Sequence, residues 1–580
     1  MKKWSWPVVF FPLLIHATAS LAQTKDPLQA PEKIFYHANI YTGQPSRPFA
    51  EAIAIRGETI VAVGSFEEVK NRMSDQAVLI DMNGQTLLPG FVDSHMHAID
   101  GGTSLAKPNV NEDLLEPDSL QSYVLRIIRE KSGMYGDVVM IDGINITTWS
   151  NLKALDQVFN KGTFARQPVL LGGSDGHTAW ANNAMLKKAG VNGPFLKALT
   201  PEQRHDYGTN PDGTLNGFVV EGGVNKLMQS LPEEGVDLHQ SALLAMEYCN
   251  RYGITAILDP AAVRRNQDLS KSSLEAYDWL ADQHKLTTHV AATVVVSGND
   301  DPDEKIPALK KIKSAQDRED LRVIGFKIFG DGVIEYPSQT AALSKPYLHS
   351  GKNGKLLFEP ARFARFVTAA DSAGFLVHVH AIGDRTVTEA LNGFETMRRT
   401  NQRSDIPHTI THLQIVLPSD FDRFHQLGIL ASFQLMWAFG DETAIDIVQP
   451  YIAPDLFRWQ YPARSLLQAG AEICGASDWP VTGANPFEAI ARAETRKGPL
   501  GVLDSTQCMP RIAMLQAYTL HAAHALMMEK QIGSLEPGKF ADMVLVDRDV
   551  LVVTPEELAQ TRVLWTMFRG RIVYQANKDQ

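Results

Sequence analysis

The chain has 580 residues, of which 44% are hydrophobic and 21% charged, and this ordinary globular composition excludes a largely disordered protein. A chain of this length is too long for a single simple hydrophobic core. It fits either several domains or one large barrel with an attached domain. The formal net charge of −11, without a long run of one sign, disfavours a nucleic-acid partner, which needs a basic surface.

Residues 1–22 are predicted to be a secretory signal. Lys2 and Lys3 precede an apolar stretch that runs from about Val8 to Ile15. Ser20-Leu21-Ala22 then places small residues at the two positions that a signal peptidase reads. The apolar stretch is too short for a stable membrane-spanning helix, and a membrane anchor is the alternative. We therefore expect an exported protein, periplasmic or secreted, with no stable membrane span after processing.

Short strands are predicted near both ends of the remaining chain. Between residues 33 and 88, β-branched and aromatic residues lead to glycine-containing turns in KIFYHANIYTG, AIAIRGETIVAVG and AVLIDMNGQTLLPG. The same character returns in IGSLEPGKFADMVLVDRD and VLWTMFRGRIVYQ. The prediction is a small composite β-sandwich domain, built from residues 23–88 and 526–580, with a larger domain inserted between them.

Strand-like and helical patterns alternate through residues 89–525. Apolar runs such as VVMIDG, PVLLGG, TAILDP and THVAATVVV are separated by helical segments such as ARFARFVTAADSAG. This alternation indicates parallel strands covered by helices, and about eight such units fit a (β/α)8 TIM barrel, an α/β fold. The irregular segment 191–245 is predicted to be an insertion. A doubly wound open sheet is the alternative, but no glycine-rich dinucleotide turn follows an early strand.

The stretch GFVDSHMHAID places His95 and His97 after an apolar strand. Residues i and i+2 of a strand point to the same side, and active sites of this barrel type lie at the C-terminal ends of its strands. Two neutral imidazoles converging there would form a pair of metal ligands. Polar positions on a strand without any metal are the alternative.

Further polar residues follow other apolar runs. In HVHAIGD, His380 is nearer the strand end than His378, so His380 is the better ligand and His378 fits a buried core position. In HTITHLQ the later histidine, His412, is favoured over His408 for the same reason. ICGASDWP places Asp478 at the end of another predicted strand. Four histidines and one aspartate at the ends of four strands are hard to explain as core packing.

Lys327 lies inside the apolar run GFKIFGDG. A buried lysine is costly unless it is paired or modified. One interpretation is an ion pair with Asp331 or another carboxylate. The other is a carbamate, formed by reaction of the amine with carbon dioxide, which could bridge two divalent cations.

The segments GFVDSHMHA, KIFGDG, HVHAIGDR, THLQ and SDWPV together resemble the metal-dependent amidohydrolase superfamily. Within it, the chain is most similar to amidohydrolase family 3, the branch that includes YtcJ-like proteins and N-substituted formamide deformylase. The resemblance implies that His95 and His97 bind one metal and that carboxylated Lys327 bridges it to a second. It also implies that His380 and His412 hold the second metal. Asp478 would bind metal and accept the proton of the attacking water.

The resemblance also implies an activity. It predicts two divalent metal ions, with zinc expected, and hydrolysis of a C–N amide bond of an N-acyl or N-formyl amine by a metal-activated hydroxide. Such an enzyme acts on carbon–nitrogen bonds other than peptide bonds. His177 in SDGHTAW resembles a substrate-contacting histidine of family 3. Asp331, Asp384 and Arg385 fit either the support of ligands or the capping of helices. The loop GINITTWS departs from the family pattern, which leaves the substrate open.

Two other functions are weighed. A mononuclear deaminase of the same superfamily typically lacks the bridging lysine, so Lys327 speaks against it. A non-catalytic exported barrel that binds a metal or ligand would not need the proton carrier Asp478. The expected partner is a small-molecule amide substrate, and homo-oligomerisation stays open.

Overall fold

The computed structural model describes residues 31–110, 116–130, 134–231 and 237–577. The predicted signal, residues 1–22, lies outside these ranges and stays a prediction. Within the described ranges, no helix combines the length and the apolar character needed to cross a membrane.

Eight parallel strands form a nearly closed barrel at the centre of the molecule, and each strand is hydrogen-bonded to the next along the chain. Numbered 1 to 8 in chain order, they are Phe91–Asp93, Ile254–Val263, His289–Val296, Leu321–Phe329, Leu376–Ala381, Thr409–His412, Leu430–Phe433 and Ile473–Gly475. The backbone N–H of Ser94 donates to the carbonyl of Gly475 at 3.0 Å, which brings strand 8 to strand 1. The predicted (β/α)8 barrel is confirmed.

The barrel strands are apolar because both of their faces are covered. Every residue of strand 2 and of strand 5 is buried between the packed interior and the surrounding helices. A polar residue at such a position therefore needs a partner or a function. Lys327 on strand 4 and His378 on strand 5 are directly paired in the ladder and are two such positions.

Helices cover the outside of the barrel, and several begin at residues that cap them. Asp237, Ser272 and Asp301 each accept a hydrogen bond from a backbone N–H of the first helical turn. The main helices of this layer are Ala98–Leu105, Leu238–Arg251, Ser273–Asp282, Pro302–Gln316, Pro360–Ser372, Asp384–Asn401, Pro418–Leu427, Ala463–Gln468, Pro486–Thr495 and Arg511–Gln516.

Two sheets are built from the ends of the described chain. A six-stranded sheet has the spatial order Arg571–Gln575, Val563–Phe568, Met543–Val546, Thr86–Pro89, Asn39–Tyr41 and Phe49–Ala50. A four-stranded sheet has the order Thr59–Gly64, Ala52–Arg56, Glu32–Tyr36 and Val78–Asp81. Phe35 and Ile53 from one sheet pack with Met543 and Trp565 from the other. Early and late strands thus form one β domain, as the predicted fold class requires.

A separate six-stranded sheet interrupts the barrel between strands 1 and 2. Its spatial order is Tyr207–Thr209, Leu215–Val220, Thr178–Ala181, Val169–Gly173, Val138–Ile144 and Met134–Tyr135. We call this the inserted sheet. Its helices are Pro117–Glu130, Leu152–Phe159, Asn183–Lys188, Gly193–Ala198, Pro201–Arg204 and Gly222–Met228.

The inserted sheet corrects the interpretation of two apolar runs. VVMIDG and PVLLGG were expected among the barrel strands, but both lie in the inserted sheet, which begins well before residue 191. They form a parallel pair with the helix Leu152–Phe159 between them, so their local pattern equals that of a barrel unit. The difference lies in packing, because this unit closes a core of its own around Trp149, Phe159 and Trp180.

A buried histidine joins the β domain to the bottom of the barrel. His289 begins strand 3, and its Nε2 lies 2.9 Å from a carboxylate oxygen of Asp542 in the loop beside Met543–Val546. Its Nδ1 lies 2.8 Å from a carboxylate oxygen of Asp320. Burial lowers the pKa of His289, but the two carboxylates outweigh burial and raise this pKa to about 9. The folded state therefore holds a proton that the unfolded chain releases at lower pH.

We expect the contacts of His289 with Asp542 and Asp320 to make the free energy of unfolding depend on pH. A pKa raised from roughly 6.5 in the unfolded chain stabilises the fold fully below that value, and the stabilisation is lost as the pH rises through about 9. The free energy of unfolding should fall by about 2 kcal/mol between pH 7 and pH 9. Denaturant unfolding across this range should show the slope in the wild type and a flatter curve in His289→Gln. Equal slopes in both proteins would contradict the assignment.

Candidate metal centre

The side chains predicted to bind metal lie at the C-terminal mouth of the barrel. His95 and His97 follow strand 1, Lys327 lies in strand 4, His380 in strand 5, His412 ends strand 6, and Asp478 follows strand 8. One ring nitrogen of His95, one of His412 and one carboxylate oxygen of Asp478 lie within 4.8 Å of one another. The spacing suits nitrogen and oxygen ligands around a shared cation.

Asp478 lies between three imidazoles. Its Oδ1 is 3.3 Å from Nε2 of His95 and 3.3 Å from Nε2 of His97, and its Oδ2 is 3.8 Å from Nδ1 of His412. The backbone of Asp478 is left-handed, with φ of 58°, and its N–H donates to the carbonyl of His95 at 2.8 Å. Strain of this kind persists where the surroundings enforce it, often at functional sites.

Buried polar atoms at this centre lack partners among the described residues. Oδ1 of Asp478 and Nδ1 of His97 are both buried and make no hydrogen bond within the described ranges. Unpaired buried polar atoms are costly. A divalent cation would supply the missing interaction for the carboxylate, so the residues present fit a metal site.

Neighbouring carbonyl groups orient two of the imidazoles. Nδ1 of His412 lies 3.0 Å from Oε1 of Gln434, and Nε2 of His380 lies 3.1 Å from the carbonyl oxygen of Gly332. Because carbonyl oxygens only accept hydrogen bonds, each of these nitrogens carries its proton. Nε2 of His412 and Nδ1 of His380 are then the unprotonated nitrogens that could bind a cation, an arrangement usual for metal-binding histidines.

His378 contacts a predicted ligand directly. It is fully buried, as expected for a deeper position, and its Nε2 lies 2.8 Å from Nδ1 of His95. It therefore orients His95 instead of only filling the core. His408, by contrast, accepts from the N–H of Val377 at 3.0 Å and contacts Asp371 at 2.9 Å, so it serves structure.

Asp93 ties together the loops that carry His95 and Asp478, a role that was not predicted. Its carboxylate accepts from the backbone N–H of His95 at 3.0 Å and from that of Ser477 at 3.1 Å. The signal in the sequence was a carboxylate at the end of an apolar run, directly before the two histidines. Gln434 was also missed, and its signal was a polar residue directly after strand 7.

Lys327 is 1% exposed, and its Nζ makes no hydrogen bond or ion pair with the rest of the described chain. The ring of Phe329 lies 5.0 Å from Nζ. An ion pair with Asp331 was one interpretation, but Asp331 instead accepts from the backbone of Ile382 and Gly383 at 3.0 and 2.9 Å. Burial lowers the pKa of Lys327 to about 7, so much of the amine is neutral at neutral pH. Neutral amine is the form that reacts with carbon dioxide.

Asp331 and Asp384 organise loops. Asp331 also accepts from Thr386 Oγ1 at 2.8 Å and lies 3.5 Å from Nε2 of His380. Asp384 accepts from the backbone N–H of Ser344 at 3.0 Å. Asp331 therefore supports a predicted ligand, whereas Asp384 fixes a neighbouring loop.

Burial keeps most of the imidazoles neutral. It lowers the pKa of His95, His380 and His412 well below the ordinary value, with further lowering by nearby cationic groups. For His97 burial also lowers the pKa, but the Asp478 carboxylate, 3.3 Å from its Nε2, outweighs burial and raises the pKa overall. Neutral imidazole is the form that binds metal.

The inserted sheet contributes His177 to the mouth of the barrel. Its Nδ1 lies 3.2 Å from each carboxylate oxygen of Glu221, and its ring centroid lies 5.7 Å from that of His380. Burial lowers the pKa of His177, but the Glu221 carboxylate outweighs burial and the pKa rises to about 9. Glu221 was not predicted as a functional residue.

A cavity of about 1310 Å³, including its open mouth, lies over these side chains and is lined by His177, His380, His412 and Asp478. Trp437 and Phe439 supply aromatic walls. Three other tryptophans serve packing: Trp149 and Trp180 lie in the core of the inserted sheet, and Trp479 stacks on Tyr248 with ring centroids 4.2 Å apart.

Comparison with known proteins places the chain in a family. The sequence pattern of the Amidohydrolase family matches residues 78–574. The chain is 28% identical to the LONG AFTER FAR-RED 3 protein of Arabidopsis thaliana, over 93% of this chain and 91% of that protein. It is 24% identical to YtcJ of Bacillus subtilis and 23% identical to N-substituted formamide deformylase of Arthrobacter pascens, in both cases over 94% of this chain and 99% of the relative.

Solved structures share the fold. An uncharacterized metal-dependent hydrolase from Pyrococcus horikoshii superposes with a TM-score of 0.67 at 23% identity, covering 90% of this chain and 99% of that one. The family match spans most of the chain and includes every segment that carries a predicted ligand. The chain therefore belongs to the amidohydrolase family.

Proposed function

We propose that the protein hydrolyses the C–N amide bond of an N-acyl or N-formyl amine, using two divalent cations, with zinc expected. The observation that carries the proposal is the position of Asp478 among His95, His97 and His412, beside the buried amine of Lys327. This set offers imidazole nitrogens, a carboxylate and a lysine suited to carbamate formation. A pure core would not gather these groups at the mouth of a barrel.

Each residue has a proposed role. His95 and His97 would hold one cation and His380 and His412 the other, with the carbamate of Lys327 bridging them. When bound, the cations would acidify a water molecule and polarise the amide carbonyl. Asp478 would take the proton of the attacking water on its carboxylate and deliver it to the leaving nitrogen, first as general base and then as general acid.

The substrate class has support from the cavity and from one relative. N-substituted formamide deformylase, at 23% identity over 94% of this chain, is named for an amide-cleaving reaction. The cavity over the predicted ligands has aromatic walls, Trp437 and Phe439, that suit an apolar substituent on the amide. His177 would contact the substrate from the inserted sheet.

Two alternative functions predict different results in an activity assay. A mononuclear deaminase would bind one cation and release ammonia, and it would have no use for a carbamate on Lys327. A binding protein without catalysis would turn over nothing, and the unpaired carboxylate oxygen of Asp478 would then lack a purpose beyond metal binding.

A substrate screen with metal analysis on the same sample tests the proposal. The purified protein, loaded with zinc and bicarbonate, should bind two metals per chain and hydrolyse members of a panel of N-formyl and N-acyl amines. Detection of the released amine and acid gives the reaction directly. One metal with ammonia release would favour the deaminase, and metal binding without turnover of any compound would favour the binding protein.

A further inference from the structure

We propose that Glu221 is a positioning residue, whose carboxylate holds the imidazole of His177 over the barrel mouth so that the inserted sheet completes the substrate site. This inference rests on the proposed function for its activity readout. The geometry that supports it is independent of any metal.

The sheet register places the two side chains together. Thr178 pairs with Val220 in the antiparallel ladder, so the next pair outward is His177 with Glu221. The N–H of Glu221 donates to the carbonyl of His177 at 3.0 Å, which continues the pairing. Directly opposed residues of antiparallel strands have neighbouring side chains on one face. The register of the sheet therefore places the Glu221 carboxylate next to the His177 imidazole.

The turn before His177 is also fixed. The Asp175 carboxylate accepts from the backbone N–H groups of His177 and Thr178 at 3.1 and 3.0 Å, and from Thr178 Oγ1 at 2.8 Å. The indole of Trp149 donates to the same hydroxyl at 2.8 Å. These hydrogen bonds fix the backbone position of His177, and the contact with Glu221 then fixes the orientation of its imidazole ring.

The barrel holds the Glu221 carboxylate from the other side. Thr340 Oγ1 donates to its Oε1 at 3.2 Å, from a loop that follows strand 4. A Cβ added to Gly332 would lie 2.5 Å from the same oxygen, so only glycine leaves room for it. The carbonyl of Gly332 accepts from His380, so one loop contacts both the Glu221 carboxylate and a predicted ligand.

The backbone at Glu221 is strained in a way that fits this role. Its φ of 46° and ψ of −110° are unusual for a residue with a side chain, and glycine would adopt them at lower cost. Such a conformation is unfavourable by itself and persists where the surroundings enforce it. Retaining glutamate here, where the side chain bonds to His177 and Thr340, points to a use for the carboxylate.

The contact fixes which nitrogen of His177 faces the substrate. An ionised carboxylate can only accept, so Nδ1 carries its proton towards Glu221. Nε2 is left on the opposite side of a ring that lines the cavity beside His380. Positioning of a contacting group matters for rate, because a displacement of about 1 Å can cost roughly 100-fold.

A double-mutant cycle tests the proposal. His177→Ala and Glu221→Ala should each lower kcat/KM by about 100-fold. The double variant should be no worse than either single one, because Glu221 acts through His177. Glu221→Gln should retain roughly tenfold more activity than Glu221→Ala, since its amide oxygen still accepts from Nδ1. Metal content should match the wild type in all four variants. Glu130→Ala, which removes an exposed carboxylate from the inserted region, is the matched control and should keep full activity.

Crystal structures of the wild type and Glu221→Gln and Glu221→Ala separate this proposal from the proposed function. We expect the His177 ring to leave its place in Glu221→Ala and to keep it in Glu221→Gln. A ring that stays in place in Glu221→Ala, or losses that multiply in the double variant, would overturn the positioning role. If the wild type cleaves no amide in the screen, the proposed function fails, while the ring position still decides the role of Glu221.

Discussion

Replacement of Asp478 by asparagine is expected to lower kcat by about 10²- to 10⁴-fold while at least one metal stays bound. Asparagine keeps the size of the side chain and one oxygen, but it cannot accept the proton of the attacking water. The oxygen that remains can still contact the imidazoles that lie 3.3 Å from Asp478 in the wild type. Steady-state rates and metal analysis on one preparation check the result.

Asp371→Asn is the matched control for this variant. Asp371 is also fully buried beside a histidine, His408, at 2.9 Å, but it lies far from the barrel mouth and serves structure. Its substitution should lower the melting temperature and leave kcat close to that of the wild type. A wild-type rate in Asp478→Asn would exclude proton transfer by Asp478.

Substitution of Lys327 by alanine is expected to remove the second metal and nearly all activity. The amine is buried, has no ion-pair partner in the described chain, and has its pKa lowered to about 7 by burial. These properties fit a carbamate, whose two oxygens could bridge two cations, and alanine offers no ligand. Metal analysis should give at most one ion per chain. Added formate or acetate should restore part of the activity by supplying a carboxylate in the same space.

Lys539→Ala is the matched control for the lysine. Lys539 is 8% exposed, and its Nζ donates to the carbonyl oxygens of Glu529 and Ile532 and to Ser534 Oγ. Its loss should destabilise the β domain without changing metal content. Two metals and full rate in Lys327→Ala would disprove the carbamate.

Most of the predicted centre could be read from the sequence because a parallel barrel brings all its strand ends to one mouth. His95, His97, His380, His412 and Asp478 each end or follow an apolar run, so position along the strand was enough to gather them. The composite β domain could also be predicted from the sequence, because strand patterns recur at both ends of the chain. The roles of these residues stay predictions, of which Asp478→Asn tests one.

Contacts that depend on packing between distant segments could not be predicted from the sequence. His95 meets His378 across 283 positions, and Glu221 meets His177 across a sheet whose register no local pattern reveals. The inserted sheet was mistaken for barrel strands because VVMIDG and PVLLGG have the same periodicity as true barrel units. Only the separate core around Trp149 and Trp180 distinguishes them.

We propose that side chains from five barrel strands hold two divalent cations, bridged by a carboxylated Lys327. The most direct measurement is anomalous diffraction from crystals of the protein loaded with zinc and bicarbonate. We expect two zinc peaks at the barrel mouth, one beside His95 and His97 and one beside His380 and His412, with density for a carboxylated Lys327 between them. No peak at the mouth, or zinc bound there without any contact to Asp478 and Lys327, would contradict it.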